Sequence, residues 1–448
     1  MTEPVRNRLA ECRRAFHRVP EPGWREFYTT NMLVTELEGI LDVEWTNPGP
    51  SSGAMYGGHA EIAVGREAID TNERMAVPDD ESIEDWHERA RERGARADVL
   101  EATAGGYTGA VARFERGDGP SIALRVDIDA LFIDEATDEN HRPAAEGFRS
   151  EHDGLMHACG HDAHVTIGLA TLETVIESDF EGTFTVFFQP AEEEAGGGKA
   201  MAEGPYLDGV EYLLAVHVGL DHPTGEVVAG IVEPLAMSHL EVAVRGRSAH
   251  AGKAPHEGRN AIQAVATAVQ NVYGIPRHGD GMTRVNVGRI DAGTSSNVIA
   301  ERAAVLAEVR GETTELMEYA KGEFERIFET AAKMHGCSAD VTVVSESPRA
   351  DSDDELVDLI YDVAGETSGV DSPVRMASFG ASEDATFLME AVQDRGGLAS
   401  YLIVGTDHPD SHHTPHFDVD EESLWTAVDV LSATIRRIEK IRPTKANG

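Results

Sequence analysis

Between Gly105 and Val218 the chain alternates short apolar runs with helix-length stretches, in the order "SIALRVDIDAL", "AHVTIGLATLETVIES", "GTFTVFFQPAEE" and "VEYLLAVHV". Apolar runs without polar alternation predict strands buried on both faces, and the longer stretches predict the helices that cover them. This part therefore reads as an α/β layer built on a largely parallel sheet. From Ala236 to about Ser347 the rhythm becomes strand, helix, strand, strand, helix, strand, the βαββαβ pattern of a ferredoxin-like unit. Afterwards the first style resumes with "DELVDLIYDVAGE" as helix, "ASYLIVG" as strand and "ESLWTAVDVLSATIRRIEKI" as a last helix. The fold class expected is α/β, a mixed sheet with helices on both faces plus the inserted ferredoxin-like domain. The first domain is then discontinuous, 1–235 and 348–448, and the insert spans 236–347. Within the first domain, 51–104 is expected to be a helical insertion. Its charged segment places Ser82 three residues before Asp85, the pattern of a capping box at a helix start.

Composition narrows the picture. A length of 448 residues is enough for two or three domains, each with its own core. The cysteines Cys12, Cys159 and Cys337 are odd in number and scattered, a poor disulfide framework, so a reducing cytoplasm is expected. The first residues hold no apolar core of signal-peptide length, and no stretch approaches the roughly 20 apolar residues that span a bilayer. Acidic residues outnumber basic ones 80 to 38, for a formal charge of −42. Phosphates would be repelled, which excludes nucleic acid as a partner. Lysine occurs only at 199, 253, 321, 333, 440 and 445, leaving arginine as nearly all the positive charge. A salt-rich cytoplasm accounts for this balance. At molar salt the Debye length falls to roughly 3 Å, which screens acidic self-repulsion.

Candidate chemistry gathers at predicted strand ends and glycine-rich turns. "MHACGHDAH" holds Cys159 and His161, "QPAEEE" holds Glu192 and Glu193, "AVHVG" holds His217, and "SHHTPHF" holds His412 and His413. Thiolate, imidazole and carboxylate drawn from separate segments are the donor types that hold a metal ion. Each alone has a structural explanation, but charges directly after the apolar strand "TFTVFF" need partners. Two adjacent glutamates allow one to bind an ion while its neighbour takes a proton from water, the chemistry of hydrolysis. No "GxSxG" elbow, Walker pattern or dinucleotide glycine pattern occurs.

With these motifs the chain resembles the co-catalytic metallo-amidohydrolases, a family that includes aminoacylases, hippurate hydrolases and indoleacetyl-amino-acid hydrolases. The likeness runs over nearly the whole length, through "RRAFHRVPEPGWREF", "ALRVDIDAL", "MHACGHDAH", "FFQPAEE", "AVHVG", "GRSAHAGKAPHEGRNAI", "GTSSNVIA", "FGASEDATFLM" and "HHTPHFDVDEESL". The segments "GREAIDTNERMAVPD", "ERARERGA" and "GGYTGAVA" are similar to the branch acting on p-aminobenzoyl-glutamate. The resemblance implies two divalent metal ions, manganese or zinc, sharing the Cys159 thiolate. It puts His161 and His217 on one ion and Glu193 and His413 on the other, with His412 as the alternative to His413. It makes Glu192 the general base and acid and Asp127 a supporting residue. It makes His250 a contact to the substrate carbonyl, and Asn297 and Arg310 holders of the substrate carboxylate. Glu194 stands where the family usually has glycine and is expected to face solvent. The implied reaction is hydrolysis of the amide in p-aminobenzoyl-glutamate. Alternatives are a general N-acyl-amino-acid (hippurate-type) aminoacylase and a non-catalytic subunit of a heteromeric hydrolase. The partners expected are a small-molecule substrate and a homologous chain, as homodimer or heterodimer, with no nucleic acid and no membrane.

Overall fold

The computed structural model describes residues 2–47, 49–55 and 57–441. Two compact units emerge: Met1–Val232, Ala350–Ser378 and Asp384–Gly448 form one, Glu233–Arg349 and Phe379–Glu383 the other. Strands of the first unit are β1 (Ser51–Met55), β2 (Gly58–Val64), β3 (Ala110–Arg116), β4 (Ser121–Asp127), β5 (Gly182–Gln189), β6 (Tyr212–Val218), β7 (Glu226–Val228) and β8 (Ile231–Val232). The second unit contributes β9 (Ala236–Arg245), β10 (Thr283–Ala292), β11 (Arg302–Gly311) and β12 (Ser338–Ser347). The chain then returns to the first with β13 (Ser372–Val374), β14 (Ala377–Ser378) and β15 (Leu398–Val404).

Among the described residues, nine strands make the main sheet, in the order β1-β2-β3-β5-β4-β6-β15-β7-β13. Its centre, β5-β4-β6-β15, is parallel. The flank β1-β2-β3 is antiparallel and joins β5 antiparallel. The apolar runs explain the centre: Ile122, Leu124, Val126, Val186, Phe188, Leu214 and Val216 on one face and Ala123, Arg125, Phe187, Leu213 and Ala215 on the other are all fully buried, so both faces are covered. The crossover helix His161–Glu177 is buried on nearly every side, so its pattern is apolar all round rather than striped. Among the described residues, no helix is long and apolar enough to cross a membrane.

Two expectations for 51–104 need correction. Its first part is β1 and β2, which extend the sheet, and helices begin only at Asp80. The glycines of "SSGAMYGGHAEIAV" weaken the alternation by which such an edge hairpin would be read. The charged helix also starts before Ser82, because Asp79 is the N-cap and its carboxylate accepts the Ser82 N–H at 2.8 Å.

The second unit is a four-stranded antiparallel sheet, β10-β11-β9-β12. Helices Ala261–Val272 and Thr314–Met334 cover one face through a core that includes Leu240, Val242, Val305, Val309, Phe324 and Phe328. The helix starts are capped by Asn260 and Thr313, which accept the N–H groups of Ile262 and Leu316. His239 and Glu308 lie on the opposite, uncovered face.

Candidate metal centre

Parallel strands bring their carboxyl ends to one edge, and the chemistry collects there. β4 ends in Asp127 and leads to Asp129, β5 leads to Glu192 and Glu193, β6 ends with His217, and β15 leads to the loop of His412 and His413. The last donors flank Gly160 at the start of the helix His161–Glu177. Gly160 has φ +86°, and a Cβ there would stand 2.5 Å from Val218 Cγ2. Only glycine lets Cys159 and His161 come this close to β6. The glutamate turn is bracketed by Ala191 and Ala195, both left-handed at φ +54° and +49°. Strain of this kind in non-glycine residues persists only when surroundings impose it. Here the Glu26 carboxylate accepts the Ala191 N–H at 2.8 Å.

Two sets of donors share one sulfur. The ligand atoms of Cys159, His161 and His217 lie within 4.8 Å of one another, and so do those of Cys159, Glu193 and His413. Cys159 Sγ is 3.4 Å from His217 Nε2, and Glu193 Oε2 is 3.5 Å from His413 Nε2. His161 Nε2 lies 3.7 Å from Glu193 Oε1 and 3.8 Å from Glu192 Oε2. Both buried imidazoles have their tautomer set from behind. His161 Nδ1 donates to the Asp129 carbonyl at 3.0 Å, and His217 Nδ1 donates to the Val218 carbonyl at 2.8 Å. Each Nε2 is thereby turned toward the sulfur and carboxylates. His161 Nε2 and Glu193 Oε1 are buried without a hydrogen-bond partner. A soft thiolate, neutral imidazoles and carboxylates around orphaned buried atoms fit a pair of divalent cations.

The electrostatics show the same imbalance. Burial, reinforced by Asp129 and Asp127 against the pull of His161, pushes Glu193 up to about 8. For His161, burial lowers the pKa but the field of Asp127 and its acidic neighbours outweighs it, giving about 10. His217 goes well below its ordinary value, through burial and then through His164 and His412. Acids crowded without enough positive charge hold protons that cations displace.

Asp127 supports the edge: its Oδ1 accepts His164 Nδ1–H at 2.5 Å and its Oδ2 accepts Arg125 Nη1–H at 2.8 Å. The sequence motifs alone assign no role to two further positioning residues, Asp129 and His164. Asp129 faces His161 Nδ1 with Oδ1 at 3.2 Å and accepts the Glu193 N–H with Oδ2 at 3.1 Å. His164 bridges Asp127 and the Val218 N–H, the latter at 2.9 Å. The signals were present, as the two-residue step from Asp127 to Asp129 at a strand end and the three-residue step from His161 to His164 along one helix face. His412, the alternative donor, turns away: its Nε2 is 3.2 Å from the Val218 carbonyl and its ring packs on Phe417. Glu194 is exposed.

His250, Asn297 and Arg310 belong to the second unit. His250 Nδ1 accepts the N–H groups of Gly252 and Lys253 at 3.1 and 3.2 Å, which places the ring proton on Nε2 as an outward donor. Asn297 is adjacent, its carbonyl accepting the Ala251 N–H at 3.0 Å. Arg310 is not with them. It pairs with Met237 at one end of β9, whereas His250 and Val298 bridge beyond the Arg245–Arg302 pair at the other. At about 3.3 Å per residue the two groups stand roughly 26 Å or more apart within one chain.

Residues 123–437 match the model of Peptidase family M20/M25/M40. The indole-3-acetyl-aspartic acid hydrolase of Enterobacter agglomerans is 36% identical over 97% of this chain and 97% of its own. A p-aminobenzoyl-glutamate hydrolase subunit from Escherichia coli strain K12 is also 36% identical, over 95% of each chain. Among solved structures, the aminobenzoyl-glutamate utilization protein from Klebsiella pneumoniae is 32% identical, with a TM-score of 0.79 over 99% of this chain and 98% of that one.

Proposed function

The chain belongs to Peptidase family M20/M25/M40, and from that premise we propose that it is a metal-dependent amidohydrolase that splits p-aminobenzoyl-glutamate into p-aminobenzoate and glutamate. The observation that carries this reading is the Cys159 sulfur shared by two donor sets, with buried His161 Nε2 and Glu193 Oε1 unpartnered between them. Cys159, His161 and His217 would hold one divalent cation, and Cys159, Glu193 and His413 a second. Zinc suits the thiolate and manganese the carboxylate side. When bound, such a pair supplies Lewis acidity and makes water a nucleophile near neutral pH.

The chain's own residues do the rest. Glu192, beside Glu193 at the rim, takes the proton of the attacking water and returns it to the leaving amine nitrogen. Asp129 holds both His161 and the Glu193 backbone, so it fixes the spacing of the two donor sets. His250 Nε2–H donates to the carbonyl oxygen as negative charge develops there, and Arg310 and Asn297 receive carboxylate. One small substrate cannot span the roughly 26 Å between His250 and Arg310 of the same chain. Two copies, or this chain and a homologous partner, therefore share each site. A reducing cytoplasm suits the unoxidised thiolate.

The test is turnover by the purified chain with manganese or zinc in molar salt, comparing p-aminobenzoyl-glutamate with hippurate. Faster cleavage of p-aminobenzoyl-glutamate is expected. Faster cleavage of hippurate assigns a general aminoacylase. Full metal content with no turnover of either assigns a subunit that needs its partner.

A further inference from the structure

On the uncovered face of the second unit lies a cavity of about 550 Å³ that no part of the metal centre uses. Its walls carry Arg277, Arg284 and Arg310, together with Asn286 and Glu308. The register explains the convergence: Arg284 of β10 stands directly opposite Arg310 of β11, and Asn286 directly opposite Glu308. Like charges at opposed positions destabilise a strand pair unless an anion sits between them. One anion is built in, since Glu308 accepts Arg310 Nε–H at 2.7 Å and Nη2–H at 3.0 Å and is also 3.1 Å from His239 Nε2. Arg277 and Arg284 form no ion pair among the described residues, in a chain with 80 acidic side chains. Three guanidiniums against one carboxylate leave two positive charges in the cavity.

We propose that this cavity is a dicarboxylate subsite in which Arg310 takes one carboxylate and Arg284 with Arg277 takes the second, so that the leaving amino acid is selected for an acidic side chain. A dianion matches the two surplus charges. A monocarboxylate leaves one guanidinium pair unmatched. Planar guanidinium forks discriminate carboxylates by geometry as well as charge, and the Asn286 amide adds a neutral donor between them. Glu308 serves as the resident counter-ion of Arg310, holding it in place and lowering its pull on small inorganic anions. The proposal rests on the amidohydrolase reading for its substrate, but the binding it requires is independent of catalysis.

Calorimetry of the full chain with glutarate and with butyrate, at fixed salt, tests it. Glutarate is expected to bind at least about tenfold tighter than butyrate, the scale of a charge-assisted pair. Arg284→Gln and Arg277→Gln should each weaken glutarate by roughly tenfold while changing butyrate less than about twofold. In turnover, the same variants should raise KM for N-benzoyl-glutamate and leave kcat and N-benzoyl-glycine unaffected. Equal binding of the two acids, or equal loss of both in Arg284→Gln, overturns the subsite. A chain that binds glutarate as described but cleaves no N-acyl amino acid keeps the subsite and replaces the reading of a self-sufficient amidohydrolase with that of a subunit that needs its partner.

Discussion

His161 and Asp162 are consecutive residues at the start of one buried helix, yet they face two polar clusters built on opposite rules. Asp162 looks into a closed network. Its Oδ2 accepts Arg13 Nε–H and His17 Nδ1–H, both at 2.8 Å, while Arg13 also reaches Asp418 at 2.7 Å and His17 Nε2 lies 2.9 Å from Glu135. Cations and anions alternate, and the atoms left over are few, the second oxygen of Asp162 and Nδ1 of His141 at the margin of Glu135. His161 looks into an open cluster, where the carboxylates of Asp127, Asp129, Glu192 and Glu193 outnumber the buried guanidiniums of Arg125 and Arg25 near them. A buried ion network that closes on itself orients helices. One that stays open on the acidic side is arranged for charge supplied from outside.

Glu192→Gln breaks the open cluster where the difference is largest. It removes a proton carrier while keeping shape, so kcat is expected to fall by about 10²- to 10⁴-fold with metal content and melting temperature unchanged. Metal analysis of the variant alongside kinetics checks it. Retained turnover would take Glu192 out of its role.

Asp162→Asn breaks the closed cluster. It strips a fully buried guanidinium and an imidazolium of their shared anion, and a loss of stability of about 3 to 5 kcal/mol is expected. Denaturant unfolding measures it. If the variant kept its stability but lost its metals, the two clusters would be one system and the contrast would be void.

Sequence made the open cluster legible and left the closed one invisible, for a physical reason. Cysteine, histidine and adjacent glutamates at strand ends are rare choices that announce themselves locally. Arg13 and His17 sit in an ordinary-looking amphipathic helix, and their partners lie 149 and 405 residues, or 145 and 118 residues, along the chain. No spacing rule reaches that far. The same limit hid the separation of His250 from Arg310, because motif order along a chain does not reveal which end of a strand each motif meets. Local pattern sufficed for the central strands, whose burial on both faces writes an unbroken apolar run. It failed for β1 and β2 at the sheet edge, where glycines dilute the signal.

pH sharpens the comparison, since the closed network has a charge state of its own. Burial lowers His17, but Asp162 and then Glu135 outweigh it and raise the imidazole to about 9. A histidine raised from its unfolded value near 6.5 stabilises fully below that value and loses the contribution as pH climbs to about 9. The loss is on the order of 3 kcal/mol across that window. Glu135 is held at about 2: burial raises it, but hydrogen bonds from His141 and His17 prevail. Its contribution is therefore intact above the usual glutamate range and lost only as pH falls toward 2. Unfolding free energy measured from pH 6 to 10 should decline in the native chain. The slope should flatten in His17→Gln, whereas an equal slope in both would assign the decline elsewhere.

Asp79 supplies the scale against which both clusters are judged. It caps the helix Asp80–Arg93 through a hydrogen bond to the Ser82 N–H, and among the described residues its carboxylate makes no hydrogen bond to the metal centre or to the Arg13 network. An exposed cap of this kind is solvated when broken, so Asp79→Ala should lower stability by only about 1 kcal/mol and leave turnover untouched. The gap between this value and that of Asp162→Asn measures what burial adds to a polar contact, because both substitutions remove a carboxylate that anchors a helix start. A loss at Asp79 as large as at Asp162 would mean that the helix Asp80–Arg93 is itself needed for the fold. The contrast between open and closed clusters would then have to be judged from metal content alone.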